Sequence, residues 1–260
     1  MITTLFARDR LLAVSALAFA ALFVGLAALA PFDDTLITGV NRWIKPMKFA
    51  ISIAIFLATI AWFTPEISPA RPRARRLITR TMVVTMAIEI VCIVGQAARG
   101  TTSHFNERTA LDGAIFSLMG IAITINTVAV AAMLWALRRD TPPARAGYLW
   151  GVRLGLALFV VGSLLGFVIV ANRGHSVPGP DGGVGLPFVN WAIDQGDLRV
   201  AHFVGLHALQ ALPLLGAALD RSAAAPATRT GVLAAAAALW LTVVGVTLAL
   251  ALSGRPLLAL

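Results

Sequence analysis

The chain has 260 residues, 58% of them hydrophobic and 13% charged, and its mean hydropathy of +0.85 is too high for a water-soluble domain to cover its surface with polar groups. The net charge of +9 does not point to nucleic acid, because that reading needs basic residues interleaved with aromatics on one exposed face, and here the arginines sit between apolar stretches. The single cysteine, Cys92, lies inside an apolar stretch and excludes an intrachain disulfide and a cysteine-only metal site.

A hydrocarbon core about 30 Å thick takes roughly 20 apolar residues per helix. Seven stretches meet that length, so an all-α, polytopic transmembrane bundle of about seven helices is expected, as one transmembrane domain over 1–260. The first span covers 11–30. Its apolar length exceeds the roughly 7–15 residues of a signal-peptide core, and Pro31 would have to follow a cut after Ala30, so it reads as a retained span. The second covers 46–63, with Pro46 in its first turn, Trp43 and Trp62 at interfacial positions, and Lys45 and Lys48 able to snorkel outward. The third covers 81–98, the fourth 113–137, the fifth 154–171, the sixth 200–219 and the seventh 231–252.

Alternation puts the N-terminus and the connectors 64–80, 138–153 and 220–229 on one side, with thirteen of the 21 Lys and Arg residues. These include Arg71, Arg73, Arg75, Arg76 and Arg80 in one connector and Arg138, Arg139 and Arg145 in another. The positive-inside rule makes that side cytoplasmic and the C-terminus extracytoplasmic. The 172–199 connector is rich in turn residues and carries Trp191 in an amphipathic piece suited to the outer interface. Gly151, Gly155, Gly162 and Gly166 on the fifth span let a neighbouring backbone approach closely. Spans one to three and five to seven share an orientation, so a duplication around span four is topologically allowed, with only Val40-Asn41 and Val189-Asn190 before spans two and six as a sequence echo.

All four histidines fall on the outer side: His104 and His175 in connectors, His202 and His207 on span six. Histidine binds metals and haem iron and moves protons near neutral pH, so an outward-facing pocket formed by His104, His202, His207, Gln96 and Gln210 is a candidate site for haem b, a metal ion or a small ligand. For a metal, His104, His202 and His207 are the first candidates, with Glu107, Asp194 and Asp197 as outer acids, although no His-Glu-x-x-His spacing occurs. His202 and His207 are about 140° apart on one helix and cannot sandwich one iron, so a haem needs His104, His175 or a partner subunit. Spans without lysine at the usual place exclude a retinal protein, and phosphate loops, nucleophile elbows and histidine boxes are lacking.

Polar residues within spans are costly and therefore informative. On span three, Glu89 and Gln96 lie only about 20° apart, with Cys92 on the same flank. By helical rise Glu89 and Gln210 lie roughly 15 Å deep, Asn126 slightly deeper and His207 roughly 10 Å deep, so they are able to meet at one level. Glu89 and Asn126 are thus candidate proton carriers. The plainer alternative is that Glu89, Asn126 and Gln210 only tie spans three, four and six together.

Four segments, 41–49 (Asn-Arg-Trp-Ile-Lys-Pro-Met-Lys-Phe), 103–106 (Ser-His-Phe-Asn), 111–116 and 199–210 (Arg-Val-Ala-His-Phe-Val-Gly-Leu-His-Ala-Leu-Gln), resemble those of a group of bacterial multi-pass membrane proteins with no assigned activity. The resemblance implies a bacterial plasma-membrane location and supplies no catalytic residues. Three functions follow as expectations: a ligand- or cofactor-binding membrane protein, a proton-coupled small-solute transporter using Glu89, or a non-catalytic accessory subunit, each seated in the lipid bilayer with a small ligand or a membrane subunit as partner.

Overall fold

The computed structural model describes residues 2–137 and 142–258. Arg138 and Arg139 lie outside the described residues. Helices α1 (Ile2–Arg8), α2 (Arg10–Leu29), α3 (Ile44–Phe63), α4 (Pro72–Ala98), α5 (Ala110–Ala136), α6 (Ala146–Ala171), α7 (Leu198–Leu219) and α8 (Pro226–Leu252) make up the fold. Those from α2 to α8 are seven helices long and apolar enough to cross a membrane. Many large apolar side chains on them face outward, among them Val91 (69% exposed) and Leu214 (70%), which suits lipid and not water. Two two-stranded pairs complete the described structure: β1 (Leu36–Ile37) with β2 (Val40–Asn41), and β3 (Ser176–Val177) with β4 (Gly196–Asp197), both antiparallel.

Several helices run past the apolar stretches that predict them. The largest difference is α4, which begins at Pro72, nine residues before the expected start, so most of the arginine connector is helical. A proline at the first helical position needs no N–H partner, and arginines beyond the hydrocarbon tolerate a helix as well as a loop. α6 and α8 likewise gain turns at their starts.

The chain divides into two compact units, Met1–Ala136 and Leu137–Leu260. In the first, α3 packs between α2 and α4, and α4 packs on α5. At one end Arg8 donates to the Trp62 carbonyl (2.7 Å) and stacks over the Trp62 ring (4.1 Å), while Arg75 pairs with Asp9 (3.5 Å), the N-cap of α2. At the other end the β1–β2 turn places Thr38 and Gly39 at positive φ, as a tight hairpin turn requires. Asp33 there accepts from Arg42 Nε (2.6 Å), Trp43 Nε1 (2.8 Å) and the Thr35 N–H (3.0 Å). Burial alone would push the Asp33 carboxyl up, but these hydrogen bonds from Thr35, Arg42 and Trp43 hold it well below the usual carboxylate range. Trp43 then closes an apolar cluster with Leu26 and Ala97.

In the second unit the glycine positions of α6 find their neighbour in α7. Gly147 faces Gly216, Gly155 faces Ala208, and a Cβ on Gly162 would sit 2.6 Å from the Gly205 carbonyl carbon. Without side chains the two backbones meet and gain dispersion contacts along the whole seam. Leu158, Ala208, Leu212 and Ala237 form the adjoining core, and Trp240 Nε1 on α8 donates to the Val204 carbonyl of α7 (2.8 Å). Asp220, just past α7, accepts the N–H groups of Gly147 and Tyr148 (2.8 Å each), and so caps α6 from another helix. The 186–191 piece of the 172–199 connector is a tight turn, its Asn190 N–H bonded to the Leu186 carbonyl (2.8 Å).

Candidate functional site

The polar stripe on α4 resolves into separate contacts within the first unit. Gln96, 1% exposed, donates to Asp112 Oδ1 (2.9 Å) and accepts from Arg99 (2.5 Å), which also pairs with Asp112 (2.7 Å). The Thr109 hydroxyl donates to the other Asp112 oxygen (2.7 Å) and accepts the Asp112 N–H (3.1 Å). Gln96 is thus engaged in fastening α4 to the start of α5. Sequence reasoning missed Asp112, although Thr109-x-x-Asp112 before an apolar run is a capping-box signal.

Further along α4, the Thr85 hydroxyl lies 3.3 Å from Asn126 Oδ1 on α5, both buried. Asn126 is therefore tied to Thr85, another residue that sequence reasoning passed over. Between these two ties sits Glu89, 4% exposed, whose Oε1 is buried without a hydrogen-bond partner among the described residues. By helical rise it lies about 10 Å along α4 from Gln96 and about 6 Å from Thr85. Cys92 lies one turn away on α4, and Lys45 on α3 is near enough to interact electrostatically with Glu89.

Lys45, at the start of α3, places its Nζ 3.1 Å from His104 Nδ1 in the loop between α4 and α5. An ammonium only donates, so Nδ1 accepts and the ring proton sits on Nε2. Ser103 Oγ also lies 3.1 Å from Nδ1, and the rings of Phe49, Phe105 and Phe116 surround the imidazole at 6.1–6.3 Å. The loop that presents His104 is held by Asn106, which donates to Thr101 Oγ1 (2.9 Å) and the Thr102 carbonyl (3.0 Å). Glu89, Lys45 and His104 thus form a graded series from a buried carboxyl to a half-buried loop histidine.

The remaining predicted residues belong to the second unit. His202 Nδ1 lies 2.8 Å from the Gly162 carbonyl, and His207 Nδ1 lies 2.7 Å from the Phe203 carbonyl. Carbonyls only accept, so both imidazoles carry a proton on Nδ1, and Nε2 is the nitrogen left to face another partner. His207 stacks on Phe203 (3.9 Å), whose other neighbour is the edge of Trp191 (5.2 Å). Gln210 lies half-buried three residues further along α7. His175 is paired with Asp181 (3.1 Å). Among the described residues no group of three or more His, Cys, Asp or Glu side chains able to hold a metal ion is found.

No protein-family model, curated protein or solved structure matches this chain. Its class rests on its own features: seven apolar helices of spanning length, with lipid-suited outer faces, define a multi-pass integral membrane protein of all-α build.

Proposed function

We propose that the protein is a proton-coupled carrier of a small solute in the bacterial inner membrane, with Glu89 as the proton-bearing group and Lys45 and His104 linking it to the extracytoplasmic end. The arginine count on the opposite side supports an N-terminus in the cytoplasm and a C-terminus outside. One observation carries the reading: Glu89 Oε1 on α4 has no hydrogen-bond partner among the described residues, whereas Gln96 on the same helix and Asp112 and Asn126 on α5 have theirs. A residue kept only for packing is satisfied by its neighbours, and an unsatisfied buried polar atom costs about 1–3 kcal/mol. A group that must exchange a proton or meet a solute needs a free face. Lys45 supplies the opposite charge that a transient Glu89 carboxylate requires, and His104 Nδ1 accepts from Lys45 Nζ at the loop end.

Reconstituted liposomes with an entrapped pH-sensitive dye and an imposed potassium diffusion potential test this. Glu89→Gln, which keeps shape but cannot ionise, is expected to reduce proton flux to the level of protein-free liposomes. His104→Ala is expected to slow flux about tenfold without abolishing it. Parental flux in Glu89→Gln sinks the proposal.

A second reading rests on the Nδ1–H tautomer of His202 and His207. A backbone carbonyl holding one ring nitrogen is the usual second partner of an imidazole whose other nitrogen binds a metal or haem iron. A visible spectrum of the purified protein, oxidised and reduced, decides it: a haem band lost in His207→Ala supports it, and a colourless protein removes it.

A further inference from the structure

Because α4 starts at Pro72, the arginines that follow are fixed on a helical surface. At 100° per residue Arg73, Arg76 and Arg80 fall within about 60° of one another, and with Leu77, Val84 and Val91 beside them all six lie within about 100°. All three arginines are exposed, and their side chains meet no described residue through a hydrogen bond, ion pair or ring. Their neighbours differ: Arg75 is turned to Asp9 and the Arg8 carbonyl, and Arg71 stacks over Trp135 (4.6 Å). Leu77, Val84 and Val91, at 69%, 56% and 69% exposure, continue the same face as an open apolar strip.

Depth sharpens the picture. Counting about 1.5 Å per residue from Ala98, a 30 Å hydrocarbon core ends near Ile78. Arg73 and Arg76 then stand in the headgroup layer, and Arg80 reaches it by extending its stem. Three guanidinium groups with no partner among the described residues, beside an apolar strip, match a molecule with an anionic phosphodiester at one end and acyl chains at the other. A soluble anion would leave the strip without a role.

We infer that this face of α4 is a docking site for an anionic phospholipid, with its phosphodiester on Arg73, Arg76 and Arg80 and its chains along Leu77, Val84 and Val91. Guanidinium groups hold phosphate oxygens through paired N–H donors, which gives the site geometric preference as well as charge. The site is independent of Glu89 and of any transport activity.

The test uses the full chain in detergent, titrated with phosphatidylglycerol or with phosphatidylcholine of the same chains, with retained lipid read by native mass spectrometry. The parent is expected to retain phosphatidylglycerol in preference. Each Arg→Gln change at 73, 76 or 80 should lower that affinity about fivefold, with phosphatidylcholine unaffected. Arg75→Gln, equal in charge loss but off the stripe, should leave the preference intact. If Arg80→Gln does not fold, the single changes Arg73→Gln and Arg76→Gln carry the same reading. Equal retention of both lipids by the parent, an undiminished preference in the Gln variants, an equal loss in Arg75→Gln, or displacement of the lipid by inorganic phosphate at matched ionic strength each overturns the inference.

Discussion

In the second unit the spans meet backbone to backbone, Gly162 on Gly205 and Gly147 on Gly216, whereas α4 and α5 in the first meet through side chains, Gln96 on Asp112 and Thr85 on Asn126. A glycine seam is held by close packing and has no tolerance for added volume. Polar ties hold helices through a few directional bonds and leave room between them for a group such as Glu89. The difference separates a unit built for a fixed contact from one able to present an unsatisfied carboxyl.

The largest expected effect is therefore in the seam. Gly162→Val drives a branched side chain into the Gly205 backbone, which cannot move aside as a flexible side chain would, and should destabilise the protein by about 3 kcal/mol or prevent its recovery folded. Gly95 on α4 has open space where a Cβ would stand, so Gly95→Ala should instead stabilise by about 0.5–1 kcal/mol. Thermal unfolding in detergent reads both, and similar losses in the two variants would erase the contrast.

Next is Glu89→Leu, which replaces an unpartnered buried carboxyl by an apolar side chain of similar volume. It should raise stability by about 1–2 kcal/mol while abolishing proton flux. A stability gain without loss of flux would make Glu89 a packing residue; a stability loss would mean that Oε1 has a partner in the membrane.

The smallest effect concerns Asp33. Its folded-state pKa is depressed, so the stabilisation from its bonds to Arg42, Trp43 and Thr35 is fully present above the unfolded carboxylate value of about 4 and is lost only as pH falls through the lower folded value. The difference in Tm between the parent and Asp33→Asn should then stay constant from pH 8 to 5 and shrink in stronger acid. A difference that already fades near pH 6 would contradict the clamp.

The seven spans were legible because apolar length is a direct consequence of bilayer thickness. The starts of α4 and α6 were not, since arginines and short polar residues beyond the hydrocarbon fit helix and loop alike, and Pro72 was the available signal for α4. The glycines of α6 announced a close approach but not its partner, because spacing on one helix says nothing about which neighbour fills it. Gln96 was visible as a costly polar residue, yet its engagement with Asp112 depended on a capping box at 109–112 that length-based reading overlooks. Lys45 was placed at the interface by its position, but the loop histidine it contacts lies 59 residues away, a pairing that spacing does not reveal.

The Asp220 cap bears on how the second unit is made. α6 is the most apolar of the seven spans and α7 among the least, and the carboxylate that closes the first turn of α6 is synthesised only after α7. Until the ribosome has passed residue 220, the amides of Gly147 and Tyr148 await their acceptor and the seam has one wall. Biogenesis should then treat α6 and α7 as a single hairpin that matures late, with nascent chains released before Asp220 more open to proteolysis near 147 than chains released after it.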